Sequence, residues 1–267
     1  MMEDVRSADG TRIAFDRLGS GPPLILVVGA CNTRATTAPL ADALQDAFTV
    51  LNYDRRGRGD SGDTLPYAVE REMDDLDALI TEAGGAAAVF GYSSGANLAL
   101  QAASRGLGIT ELALYEPPFV VDPTSHARPP ADLVERLTEL IASDRRGDAV
   151  ELFQTKVLRI PPEIGAQRRH APFRPALEEM AHTLVYEALI LGDLSLPTGL
   201  LASIRTPTLV IEGEKSPAAL RAAARAVADV LPEGRLCTLA GETHDISPGP
   251  TAAVLMEFLS RLDRAPT

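Results

Sequence analysis

Gly91-Tyr92-Ser93-Ser94-Gly95 sets a serine between two glycines, at the seam between the apolar run Ala86 to Phe90 and an Ala-rich stretch of helical period that begins at Ser94. Composition alone would produce the Gly-x-Ser-x-Gly pattern roughly 0.1 times in a chain of this length, so its placement carries the weight. A sharp strand-to-helix turn strains the serine backbone, exposes its Oγ, and needs small flanking residues so that strand and helix can approach. The helix N-terminus supplies N–H groups and a dipole suited to a developing anion, with the N–H of Ser94 aimed at it. The competing reading is a tight glycine turn without chemistry.

A serine hydroxyl is a weak nucleophile unless a base stands within hydrogen-bond reach. Of the four histidines, His126, His170 and His182 fall in a region without strand signal, whereas His244, in Gly241-Glu242-Thr243-His244-Asp245, lies between the last expected strand and the last expected helix. In a parallel sheet that position is the carboxyl edge, the edge that presents Ser93. His244 is therefore the expected general base.

These residues need a scaffold, and the hydrophobic pattern supplies one. Short apolar runs at Thr11 to Phe15, Leu24 to Val28, Phe48 to Asn52, Ala86 to Phe90, Leu112 to Tyr115, Thr208 to Glu212 and Arg235 to Leu239 read as strands. Between them lie helical periods: Pro39 to Asp46; Val69, Met73, Leu76 and Ile80; the stretch from Ser94; Leu220, Ala224 and Val227; and Val254, Phe258 and Leu262. Alternation of this kind predicts an α/β fold with a mostly parallel central sheet flanked by helices. From about Pro117 to Arg205 the strand signal stops, and Leu133, Val134, Leu137, Leu140 and Ile141 open a series of Pro-punctuated helical pieces. The expected organisation is a core at 1–117 and 206–267, interrupted by a helical cap at 118–205.

Taken together, these features resemble the α/β-hydrolase superfamily over essentially the whole chain. The motifs are Val28-Gly29-Ala30, Asp54-Arg55-Arg56-Gly57-Arg58-Gly59-Asp60-Ser61, the turn at Ser93, the cap-sized insertion and the Gly-x-x-His at His244. The resemblance implies Ser93 as nucleophile and His244 as base. It also implies that the arginine-rich run shapes a loop rather than binding phosphate.

Members of this superfamily carry the acid in two places. At the commoner one, after the penultimate strand, this chain has Glu212-Gly213-Glu214-Lys215-Ser216, with Ser216 where an Asp is expected. At the other, after the family's sixth strand, which Leu112 to Tyr115 matches, it has Leu114-Tyr115-Glu116, and Glu116 is the acid that the resemblance favours. Glu214 and a Ser–His dyad without an acid stay open as alternatives. The family's usual His-Gly is Val28-Gly29 here, which implies Ala30 and Ser94 as the backbone donors of an oxyanion hole. Cys31 and Asn32 follow, facing either the pocket or the loop's own packing.

Such a set attacks a carbonyl, holds a tetrahedral anion, forms an acyl-enzyme and releases it with water. Ester, thioester, lactone and carbon–carbon hydrolysis are all open, and the apolar cap implies a small to medium apolar acyl group. A serine rather than an aspartate at the turn argues against alkyl-enzyme chemistry. The alternative is a hydrolase-fold protein with a ligand-binding or non-hydrolytic role, as the missing Asp at Ser216 and the missing His before Gly29 would suggest.

The 267 residues permit one large domain or a core with an insertion. A formal charge of −12 and a pI near 4.8 disfavour nucleic acid as a partner. The longest apolar stretch, about ten residues, is well below the roughly twenty of a membrane span. The acidic opening Met-Met-Glu-Asp lacks the pattern of a secretory signal, so a cytoplasmic location is expected. Cys31 and Cys237 belong to no Cys/His cluster, and no metal or organic cofactor is indicated. A small-molecule substrate is the expected partner, and the oligomeric state is left open, a homodimer among the options.

Overall fold

The computed structural model describes residues 2–122, 124 and 127–262; His126 lies outside them. The chain begins with β1 (Met2–Arg6), β2 (Arg12–Leu18), β3 (Pro23–Val27), α1 (Arg34–Leu44), β4 (Thr49–Tyr53) and α2 (Val69–Glu82). It continues with β5 (Ala87–Tyr92), α3 (Ser94–Ser104) and β6 (Ile109–Tyr115). Helices α4 (Leu133–Ala142), α5 (Arg146–Lys156), α6 (Pro162–Arg168), α7 (Arg174–Glu179), α8 (Thr183–Leu191) and α9 (Thr198–Ser203) follow. Then come β7 (Thr208–Gly213), α10 (Ala218–Val230), β8 (Gly234–Leu239) and α11 (Pro248–Leu262).

The strands form one eight-stranded sheet in the order β1-β2-β4-β3-β5-β6-β7-β8. β1 and β2 run antiparallel to their neighbours, while the pairs from β4 through β8 are parallel. Parallel strands covered on both faces need apolar residues at every position, and β5 is buried throughout. Alternate residues feed two cores. Ile25, Val27, Val89, Leu112, Leu114 and Val210 pack beneath α2, α3 and α10; Leu24, Leu26, Phe90, Tyr115 and Ile211 pack beneath α1 and α11.

Two local features depart from the sequence expectation. The first strand, β1, was not expected: it is an edge strand of alternating exposed and half-buried residues, so its acidic, weakly apolar sequence carries little strand signal. Helix α1 starts at Arg34 rather than Pro39, which lies inside it. A proline suits the first helical turn so well that it reads as a start signal, and here that signal misplaces the boundary.

The helices between β6 and β7 build a third apolar cluster from Leu133, Leu137, Val150, Phe153, Leu184 and Leu191, against which Ala30 and Cys31 pack. The end of the insertion merges with the main core, since Leu201 and Ile204 belong to the cluster beneath α3 and α10. A β-bridge between Val120 and Ser195 ties the two ends of the insertion together.

Candidate active site

Ser93 stands between β5 and α3 with φ +54° and ψ −124°, a conformation that costs a non-glycine residue on the order of 1–3 kcal/mol. The surroundings impose it. The Ser93 N–H donates to the Tyr115 carbonyl at 2.9 Å, and a Cβ on Gly91 or Gly95 would lie 2.6 Å from Ala96 Cα or 2.4 Å from the Val27 carbonyl. Strand and helix thus approach so closely that only glycine fits on either side of the serine.

His244 occupies the loop between β8 and α11, and its ring spans two partners. Nδ1 lies 2.6 Å from Glu116 Oε2, and Nε2 lies 3.2 Å from Ser93 Oγ. With a carboxylate at Nδ1, that nitrogen carries the proton and donates it, leaving the Nε2 lone pair to accept from the Ser93 hydroxyl. The Glu116 side chain is fully buried, whereas that of His244 is 30% exposed, so the imidazole reaches the site while its carboxylate partner is shielded from water.

Glu116 follows directly on β6 and is fixed from two sides. Its N–H donates to Ile211 O at 3.0 Å, and its Oε1 accepts the Gly213 N–H at 2.8 Å, both from β7. The backbone turns through φ +47° at this residue. The Tyr115 hydroxyl donates to Thr243 O at 2.7 Å and steadies the histidine loop. The Tyr92 ring lies 5.1 Å from that of His244.

The alternatives for the acid separate cleanly. Glu214 is exposed and accepts the Gly241 N–H at 2.7 Å, tying two loops together. Ser216 is buried, with no hydrogen-bond partner for its hydroxyl. Neither position supplies the group on His244 Nδ1.

The loop after β3 is packing-driven. Cys31 sits against the cap cluster, and burial pushes its thiol up to about 12, well away from thiolate chemistry. Asn32 braces its own loop, with Nδ2 donating to Ala30 O at 2.7 Å and Oδ1 accepting from Thr36 Oγ1 at 2.9 Å. His170 and His182 belong to the insertion; His182 Nε2 lies 3.7 Å from Asp63 Oδ2.

All three arginines of the run after β4 are buried and ion-paired. Arg56 binds Asp75 at 2.6 and 2.8 Å and Asp9 at 2.9 Å. Arg55 grips Glu72 through two bonds of 2.7 and 2.9 Å and reaches Glu187 Oε1 at 2.7 Å, an oxygen that also accepts from Arg58. Every guanidinium pairs with a carboxylate, as a loop-shaping role requires. No sequence expectation singles out Glu187. The available signal is a lone carboxylate in the otherwise apolar Leu184 to Leu191, since a buried acid implies a buried cation.

Over residues 24–255 the chain matches the description "Alpha/beta hydrolase family". The chain belongs to this family. A solved alpha/beta hydrolase from Sphaerobacter thermophilus is 54% identical to this hydrolase, with a TM-score of 0.89 over 96% of this chain and 100% of that one. A pimeloyl-(acyl-carrier protein) methyl ester esterase of Stenotrophomonas maltophilia is 29% identical over 92% of this chain and 96% of its own length. A thermophilic esterase from Thermogutta terrifontis shares the fold at 21% identity, with a TM-score of 0.73 over 98% and 99% of the two chains. With His244 joining Ser93 to Glu116 in this fold, the arrangement is that of a serine hydrolase acting through an acyl-enzyme on a small apolar substrate. Its chemistry is of the carboxylic ester hydrolase type. Among the described residues no helix is long and apolar enough to cross a membrane.

Proposed function

We propose that this hydrolase cleaves carboxylic esters of small to medium apolar acyl groups, with Ser93 as nucleophile, His244 as general base and Glu116 as the acid that orients it. The observation that carries this reading is the unbroken chain Ser93–His244–Glu116, at 3.2 and 2.6 Å. Ser93 Oγ attacks the ester carbonyl as its proton passes to His244 Nε2. The backbone N–H groups of Ala30 and Ser94 hold the tetrahedral oxyanion. Collapse expels the alkoxide, which takes the proton from His244 and leaves as the alcohol. Water then gives a proton to His244, attacks the acyl-enzyme, and frees the carboxylic acid and Ser93.

The preference for esters draws on the names of similar proteins, a methyl ester esterase and a thermophilic esterase. The preference for an apolar acyl group draws on the cap cluster that lies against Ala30. The division into a core at 1–117 and 206–267 and a cap at 118–205 belongs to the same reading. So do a cytoplasmic location, a small-molecule rather than nucleic-acid partner given the charge of −12, and compatibility with a homodimer. The ligand-binding alternative rests on two departures, Ser216 in place of the Asp and Val28 in place of the His; Glu116 at His244 Nδ1 speaks against the first.

A fluorophosphonate probe tests activation directly. Wild-type protein should be labelled at Ser93 and should hydrolyse a series of p-nitrophenyl esters with a preference set by chain length, whereas Ser93→Ala and His244→Ala should lose both activities. An unlabelled wild type that hydrolyses none of the esters would overturn the proposal.

A further inference from the structure

The loop that presents Ala30 lacks the histidine that commonly braces it, and its carbonyls are held instead by two buried arginines of the core that pair with a carboxylate of the cap. Arg58 Nη1 donates to Gly29 O at 2.9 Å, and Arg55 Nη1 donates to Val28 O at 3.2 Å. The Gly29 carbonyl and the Ala30 N–H belong to one peptide unit. A trans peptide is planar, with its C=O and N–H pointing in opposite directions, so anchoring that carbonyl fixes where the N–H aims. The loop is also pressed against the nucleophile, for a Cβ on Gly29 would lie 2.9 Å from Tyr92 O and 3.0 Å from Ser93 Cβ.

Neither arginine is held by the core alone. Glu187 Oε1, on cap helix α8, accepts from both Arg55 and Arg58, and all three side chains have no exposure to solvent. Burial opposes the charge on Glu187, but the two guanidinium groups outweigh it and hold its pKa below the usual value. Well-packed apolar side chains would stabilise such a position at least as well as an ion triad, so stability alone gives weak reason for the charges.

We infer that Glu187 is a positioning residue for the oxyanion hole: it holds Arg58, Arg58 holds the Gly29 carbonyl, and the Gly29–Ala30 peptide then aims the Ala30 N–H at the oxyanion. The inference rests on the reading of Ala30 as a donor. It makes the chemical step depend on a residue of the cap that does not touch the substrate.

Glu187→Gln keeps the shape and removes the charge. A misaimed donor forfeits part of the 10²- to 10³-fold that one oxyanion donor supplies, so kcat on a p-nitrophenyl ester should fall about 10- to 100-fold. KM should change little. Affinity for a boronic acid that forms a tetrahedral adduct on Ser93 should fall in proportion to kcat, whereas inhibition by the product carboxylate should stay as in wild type. Glu187→Asp should recover part of both losses.

A double variant, Arg58→Leu with Glu187→Leu, guards against misfolding from an unpaired buried charge. It should lose kcat and boronic acid affinity to a similar extent, because the Gly29 carbonyl has lost its donor. If either folded variant keeps wild-type kcat and wild-type boronic acid affinity, with only its melting temperature changed, Glu187 is structural and the inference fails. If wild type neither labels with fluorophosphonate nor hydrolyses the ester, the hydrolase reading fails and the inference falls with it.

Discussion

The acid and base side of the site and the proposed oxyanion side are built from different materials. On the first, Glu116 and His244 are located mainly by backbone. β7 supplies the Gly213 N–H and the Ile211 carbonyl, and the Tyr115 hydroxyl takes the carbonyl of Thr243. On the second, the Val28 and Gly29 carbonyls are held by arginine side chains whose counter-charges come from α2 and from cap helix α8. Sheet hydrogen bonds form with the fold and are hard to perturb locally. A bond network that crosses to the cap exists only while the cap is docked. On the proposed assignment of Ala30, the hydrolase therefore has an orienting system built into its core and an anion-stabilising system conditional on its insertion.

The contrast can be broken at several points. The largest effect is expected for Glu116→Gln, which leaves the imidazole without its anion and should lower kcat by on the order of 10⁴-fold. Glu214→Gln should stay near wild type in the same p-nitrophenyl ester assay, and the reverse result would move the acid to the loop after β7. Tyr115→Phe removes one hydrogen bond to the histidine loop. At about 1 kcal/mol, this should cost about fivefold in kcat. A loss as large as that of Glu116→Gln would mean that the backbone contacts do not suffice to hold the base.

The cap side should also be the more sensitive to acid. Burial lowers the pKa of His182 below 6.5, with Asp63 opposing. The unfolded chain thus binds this proton more readily than the folded one, so the contribution is complete above 6.5 and is lost as pH falls through the lower folded value. For each kcal/mol lost, the melting temperature should drop roughly 2–4 °C between pH 7 and pH 5. The drop should be smaller in His182→Gln, and equal slopes for the two proteins would remove His182 from the acid response.

Much of this site was legible from local pattern. Ser93 announces itself because the turn needs glycines at fixed offsets, and His244 because it follows the last strand. Glu116 was harder, since nothing local marks it, and the likeness to a family with two acid positions was what pointed there. The interior strands were readable because burial on both faces leaves a continuous apolar run, whereas β1, half exposed at the edge, leaves none. The Arg55–Glu187 pair was out of reach for a different reason. Its partners lie 132 positions apart in sequence, and pairing is a property of space that no window along the chain contains.

The shared carboxylate at Glu187 also bears on inheritance. An insertion between two strands looks exchangeable, a module that recombination could swap to give an old core a new specificity. Here an incoming segment without an acid at this place would leave Arg55 and Arg58 buried with Glu72 as their remaining close carboxylate, and an uncompensated buried charge costs about 3–5 kcal/mol. Core and cap in this lineage are expected to descend together, and chimeras should survive only when residue 187 travels with the arginines.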